Sequence, residues 1–219
     1  MVTMKPVWLI LFIASVVTLF VGILVDVQML YLTAKPLLMI TLLLYFISAS
    51  RGYSSWRFYV MAALVFSWGG DVFLMLDNMF TAGLVSFLVA HIFYITAYQK
   101  TGAASGELKP LDIMKFVLFG AVVMWLLYPG LGGMLLPVLA YMVVLLSMGI
   151  WAHKRRGATT AVSFTLVSAG AMLFVISDGL IAINKFAFEI PAERILVMST
   201  YISAQYLIVQ GLLKHDVTR

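Results

Sequence analysis

Eight stretches of this chain read as nearly unbroken hydrocarbon: Val7–Val25, Leu32–Ala49, Trp56–Leu76, Phe80–Gln99, Ile113–Tyr128, Leu131–Trp151, Thr159–Ile183 and Ala192–Leu213. A helix needs about 20 mostly apolar residues to cross a bilayer, and backbone polar groups in lipid must be satisfied within the chain. The expected fold is therefore all-α: a polytopic membrane protein of eight transmembrane helices, with residues 1–219 as a single transmembrane domain. The composition agrees, with 63% hydrophobic and 11% charged residues, where soluble domains run near 45–50% and 25%. The fifth stretch is short, and Pro129, Gly130, Gly132 and Gly133 after it read as a turn. Lys35-Pro36 falls one turn into the second stretch, so the ordered helix is expected to start at Pro36. The amino-terminal run is too long for a cleaved signal segment and no small-residue cleavage site follows in Asp26–Gln28, so it reads as the first membrane helix.

Charge orients these helices. Eleven of the fourteen Lys and Arg residues fall at the amino end, in alternate loops and at the carboxyl end: Lys5, Arg51, Arg57, Lys100, Lys109, Lys115, Lys154, Arg155, Arg156, Lys214 and Arg219. The positive-inside rule then places both termini in the cytoplasm, with Trp8, Trp56 and Trp151 at the inner interface. Short loops and a lean 219 residues favour a bacterial inner membrane. The net charge of +5 is spread over these loops rather than gathered in a patch, so nucleic acid is not an expected partner. Eight helices with both ends inside divide into two parallel four-helix repeats, an architecture known in membrane proteins. Asp71 and Asp178 then stand on the third and seventh helices, and Ala90-His91 and Ala204-Gln205 on the fourth and eighth. The only G-x-x-x-G, Gly102–Gly106, lies in a loop and carries no oligomer signal.

A carboxylate in hydrocarbon is costly and marks a functional site by default. Asp26, Asp77, Glu107, Asp112, Glu189, Glu193 and Asp216 sit at helix ends, in loops or in the tail, and read as solvated. Asp71 and Asp178 remain inside. Each lies five residues before the outer end of its stretch, or roughly 7–8 Å deep. Lys35 enters from the same side, while His91, Tyr94, Tyr201 and Gln205 lie deeper, so these groups are candidates to line one outward-opening pocket. Structural readings stand beside each. An Asp can pair with Lys35 to hold helices together, Lys35 can snorkel, and His91, Tyr94, Tyr201 and Gln205 can bond or pack between helices.

The absence of cysteine excludes disulfides and thiolate metal sites. A catalytic zinc site usually takes three protein ligands, and only His91 reads as embedded, with His153 and His215 in cytoplasmic segments. No H-E-x-x-H, G-x-S-x-G or G-x-x-x-x-G-K-[ST] is present. What remains suits acid–base chemistry without a metal or organic cofactor.

Five segments in order, KPLLM (Lys35–Met39), GDVFLML (Gly70–Leu76), GLVSFLVAHIFYITAY (Gly83–Tyr98), LFVISDGLIAINKF (Leu173–Phe186) and TYISAQYLIVQG (Thr200–Gly211), resemble the YhhN-like lysoplasmalogenase family. The likeness runs from the second helix to the eighth. It implies an eight-helix membrane enzyme that hydrolyses the vinyl ether of lysoplasmalogens to a fatty aldehyde and a glycerophospho-alcohol. It also implies Asp71 and Asp178 as the catalytic pair, with Lys35 and His91 as further motif positions.

The chemistry agrees. A vinyl ether is cleaved by protonation of its β-carbon, giving an oxocarbenium ion that water captures. One buried carboxyl can serve as the acid, while a second, kept ionised beside a cation, steadies the ion and takes the water's proton. Asp178 is favoured as the acid because Lys35 lies on the helix next in sequence to that of Asp71, although Lys35 is alternatively a ligand for the lipid phosphate. The expected partners are a lysolipid substrate and membrane lipids. The rival readings are a proton-coupled lipid or small-molecule transporter using the same aspartates, and an assembly subunit whose Asp and Lys pair with a partner's helices.

Overall fold

The computed structural model describes residues 5–50 and 54–215; Arg51, Asp216 and Arg219, counted above, lie outside the described residues. Among the described residues the chain forms α1 (Lys5–Leu24), α2 (Gln28–Ala49), α3 (Ser55–Phe73), α4 (Phe80–Tyr98), α5 (Pro110–Leu131), α6 (Leu135–His153), α7 (Ala161–Phe186) and α8 (Glu193–Leu213). No strand occurs among them; one isolated bridge joins Glu107 to Arg156. Among the described residues six stretches are long and apolar enough to cross a membrane: Pro6–Leu24, Gln28–Ala49, Phe80–Ala103, Pro110–His153, Ala161–Phe186 and Glu193–Leu213. The fourth holds two helices. Gly132, at φ 46°, breaks it in the middle, and at its two ends Glu107 N donates to Arg156 O at 3.0 Å. It is therefore a hairpin of α5 and α6. α3, with Arg57 and Asp71 in it, is not among the six.

Two compact units divide the chain, Met1–Tyr94 and Ile95–Arg219. In the first, α1 crosses α2 so closely that a Cβ on Gly22 would lie 2.8 Å from Tyr31 N. Leu38, Leu42 and Phe46 of α2 are buried with Trp56, Val60 and Leu64 of α3. The Phe46 and Trp56 rings meet edge to face at 5.9 Å. Helix association in lipid draws on van der Waals packing of this kind, because lipid tails are as apolar as Leu.

The second unit is built on the same close approach. A Cβ on Gly170 of α7 would lie 2.8 Å from Ala204 O of α8, and one on Gly149 of α6 would run into the Phe116 ring of α5. Val123, Leu127, Leu131, Val138 and Met142 form the core of the α5–α6 hairpin.

Several boundaries differ from those expected. α2 starts at Gln28, and Pro36 lies inside it rather than at its first position. A proline removes one helix hydrogen bond, which membrane helices tolerate when neighbours re-satisfy the freed groups. α5 is not short but 22 residues long, with Pro129 and Gly130 inside it. The turn begins only at Gly132, at φ 46°, while Gly130, inside the helix, admits Phe186 O where its Cβ would be.

Asp112, read as solvated, is buried, and so are His153 and Arg155, read as parts of cytoplasmic segments. Asp112 bonds Lys115 at 3.1 Å and Arg156 at 2.8 Å. His153 donates from Nδ1 to Gly149 O at 2.9 Å and lies edge-on to Phe116 and Phe164. Arg155 is wholly buried, its guanidinium donating to Thr101 O at 3.1 Å, Ser163 Oγ at 2.9 Å and Ser163 O at 3.4 Å. Ser163 Oγ in turn donates to Gly211 O at 2.6 Å. Burial draws the Arg155 pKa down to about 10, with Tyr98 acting the other way, so it stays charged at neutral pH. The loop composition signalled solvent; Thr101 and Ser163 supply neutral acceptors instead.

Candidate active site

In the first unit the site is built on α2, α3 and α4. Lys35 and Asp71 are both buried, with Nζ 4.0 Å from Oδ1. Lys35 is seven residues into α2 and Asp71 two residues before the end of α3, about 10 Å and about 3 Å from those helix ends. The long Lys stem closes that gap, since side chains lean toward a helix's amino terminus. Its ammonium passes 5.7 Å from the Tyr31 ring centroid, one turn back. Ser67, one turn before Asp71, is buried as well.

α4 lies tightly against this region. A Cβ on Gly70 would come within 2.5 Å of the Phe87 ring, and one on Gly69 within 2.9 Å of Ser86 Oγ. Ser86 Oγ donates to Phe66 O at 2.6 Å. Phe87, Ala90, His91, Tyr94, Ala97 and Tyr98 form one buried stripe at helical spacing. His91 stands one turn beyond Phe87, the ring that covers Gly70.

In the second unit α6, α7 and α8 position Asp178. Its Oδ2 accepts a hydrogen bond from the Tyr141 phenol of α6. Ser177 Oγ, beside it, donates to Val197 O of α8 at 3.2 Å. On the other side Gly179 leaves room for the Phe119 ring, 3.0 Å from where a Cβ would stand. Tyr201 is buried edge-on to Phe174, with centroids 5.5 Å apart. Gln205 Nε2 donates to the Tyr201 hydroxyl at 3.5 Å, a long contact.

All seven residues expected at the site are thus buried. Lys35 meets Asp71, and Tyr201 meets Gln205; Tyr141 was not anticipated. Its signal was present: in LLPVLAYMVVLLSM a phenol sits within hydrocarbon, and a buried Tyr hydroxyl usually finds a partner. The matched depth of the two aspartates does not carry over to the helices. Asp71 is two residues from the end of α3, whereas Asp178 is eight from the end of α7. α3 stops early at a turn through Asn78, at φ 60°, and α7 runs on to Phe186 against Gly130.

A cavity of about 410 Å³ lies on α1 and α2, lined by Trp8, Leu11, Ser15, Ala34, Leu37 and Thr41 among others, and by none of the seven. Its α2 residues fall on the opposite helix face from Lys35, Leu38 and Leu42. The Ser15 and Thr41 hydroxyls are turned back onto Leu11 O and Leu37 O, so the lining is effectively hydrocarbon. Among the described residues no group of three or more His, Asp or Glu could hold a metal ion.

Comparison with known proteins adds a sequence context. The model of the YhhN family matches residues 30–212. The chain is 33% identical over 181 residues to lysoplasmalogenase TMEM86B of Mus musculus, covering 83% of this chain and 74% of that one. It is 34% identical over 158 residues to lysoplasmalogenase TMEM86A of Homo sapiens, covering 68% and 62%. With a lysoplasmalogenase of Mycobacterium bovis it shares 29% over 162 residues, covering 71% and 60%. No solved structure matches the chain.

Proposed function

Because the chain belongs to the YhhN family, we propose that it is a lysoplasmalogenase-like hydrolase, a multi-pass integral membrane enzyme that cleaves the vinyl ether of a lysoplasmalogen. The similarity to named lysoplasmalogenases over most of the chain carries this reading. The products are a fatty aldehyde and a glycerophospho-alcohol.

The proposed acid–base residues are Asp71 and Asp178, and their contrasting surroundings support a division of labour. Asp71 has an ammonium beside it, which suits the anionic role: steadying the oxocarbenium ion and taking the proton of the attacking water. Asp178 is bonded by a neutral phenol, which suits the acid that protonates the β-carbon. Water then adds, and the hemiacetal collapses with its hydroxyl proton passing to the leaving oxygen. Pairs of carboxylates kept in different environments divide acid and base roles in this way in glycosidases. Lys35, His91, Tyr94, Tyr201 and Gln205 are proposed to contact the lysolipid.

The reading extends to topology. Eight crossings follow if α5 and α6 each span and α3 spans as the eighth, its polar residues Ser67 and Asp71 being buried. The division after Tyr94 supports two four-helix repeats, and the basic loops support cytoplasmic termini. A bacterial inner membrane is the proposed setting.

The test is aldehyde release from alkenyl-lysophosphatidylethanolamine by purified protein in detergent, beside Asp71→Asn and Asp178→Asn. Wild type should turn over, and each folded variant should lose at least about a hundredfold. A well-folded wild type that releases no aldehyde would turn the reading toward a carrier, which needs a sealed compartment that hydrolysis does not.

A further inference from the structure

A proton donor must be held in one orientation, because misplacement by about 1 Å can cost on the order of a hundredfold in rate. Around Asp178 the backbone is fixed from two sides, by Phe119 of α5 packing over Gly179 and by Ser177 bonding Val197 O of α8. The carboxyl itself is reached from a third helix. Tyr141 lies within α6, its side chain buried like those of Val138, Met142 and Leu145 on the same turns, and its hydroxyl donates to Asp178 Oδ2.

We propose that Tyr141 is a positioning residue of the hydrolytic reaction: its phenol holds one oxygen of Asp178, so that the acid proton is carried and delivered by the other. The inference rests on the reading of Asp178 as the acid. A tyrosine hydroxyl has one proton to donate, and it is committed to Oδ2; the transferable proton is then on Oδ1. When that proton moves to the β-carbon of the vinyl ether, Asp178 becomes a carboxylate and the Tyr141 bond becomes charge-assisted, hence stronger. Tyr141 keeps its proton throughout. The proton that Asp71 takes from the attacking water balances the one Asp178 gives up; once Asp71 releases it and Asp178 regains one from water, the acid is restored. The bond thus gains strength as the transition state forms, which lowers the barrier without tightening substrate binding.

The experiment uses the full chain in detergent, comparing wild type, Tyr141→Phe and Asp178→Asn for kcat, KM, thermal midpoint and the pH profile of kcat. Tyr141→Phe keeps the ring and its packing. It should lower kcat at least about tenfold with KM within about twofold, hold the midpoint within about 3 °C, and move the limb of the pH profile that reports the acid. A kcat within twofold of wild type would overturn the proposal, and so would a loss of rate matched by a fall in stability with an unmoved pH profile. Asp178→Asn separates this from the parent reading. Its full activity would remove the acid assignment itself, whereas an inactive Asp178→Asn beside a fully active Tyr141→Phe would remove only the role of Tyr141. Should Tyr141→Phe not purify folded, 3,5-difluorotyrosine at 141 retains ring and hydroxyl. A shifted pH profile at unchanged midpoint then supports the proposal, and an unshifted one overturns it.

Discussion

At the scale of single residues the informative contrast is between Lys35–Asp71 and Arg155. The first is a buried ion pair at 4.0 Å; the second is a buried cation held by carbonyls and a serine hydroxyl. Removing one partner of a buried pair leaves an uncompensated charge, at a cost of roughly 3–5 kcal/mol, whereas removing both together is far milder. Lys35→Met should therefore lower the thermal midpoint more than the double variant Lys35→Met/Asp71→Asn does. With Asp71→Asn completing the double-mutant cycle, a double variant whose loss equals the sum of the two single losses would show that the two groups are not coupled. Lys35, Asp71 and Asp178 were legible in the sequence because a charge within an apolar run has no bland explanation. Tyr141 gave only the weaker signal of a phenol within hydrocarbon, since a phenol is at home both in a core and at an interface. Asp112 and Arg155 were misread for the opposite reason: both stand at the ends of apolar runs, and only the packing around them makes them interior.

The elements are held by contacts that only small residues permit. Gly170 admits Ala204 O and the Ile208 backbone of α8, so a side chain there must push α7 and α8 apart. Overpacking typically costs 1–3 kcal/mol; Gly170→Val should thus lower the midpoint by about 3–10 °C for a chain of this size. Gly133→Ala, with nothing near its Cβ position, should leave it unchanged. Thermal unfolding of both variants decides, and equal effects would mean that the α7–α8 contact yields without cost.

Arg155 ties Thr101, beyond the end of α4, to Ser163, at the start of α7. Hydrogen bonds to charged groups contribute about 1.5–3 kcal/mol each, and an ammonium cannot reproduce the guanidinium fork. Arg155→Met should destabilise strongly and Arg155→Lys nearly as much, measured in the same unfolding assay; a stable Arg155→Met would show the latch to be dispensable. The existence and order of the helices were legible from apolar length, but their ends were not. Pro36 and Pro129 are ordinary stop signals, yet both stand inside helices here. In lipid, the neighbouring elements rather than local propensity decide where a helix can continue.

For the whole molecule, the question is how many times the chain crosses. Apolar length alone finds six stretches. Glu107 and Arg156 bracket one of them and are joined backbone to backbone, so its two ends lie together and its proposed contribution is two crossings. α3 decides the remaining one. It carries Arg57, Ser67 and Asp71, which lower its apolar character, but Ser67 and Asp71 are turned inward; polar residues inside a bundle are compatible with spanning where the same residues facing lipid are not. The chain contains no cysteine, so single-cysteine variants report their side of the membrane against a clean background. In sealed spheroplasts an impermeant maleimide should label Asn78→Cys and Glu189→Cys directly. Ser54→Cys, Ser105→Cys and Gly157→Cys should react only after the membrane is opened. If Ser54→Cys and Asn78→Cys label from the same side, α3 does not cross. Asp71 would then have reached its place without traversing hydrocarbon, and the argument from its cost in lipid would fall, while that from Asp178 would stand.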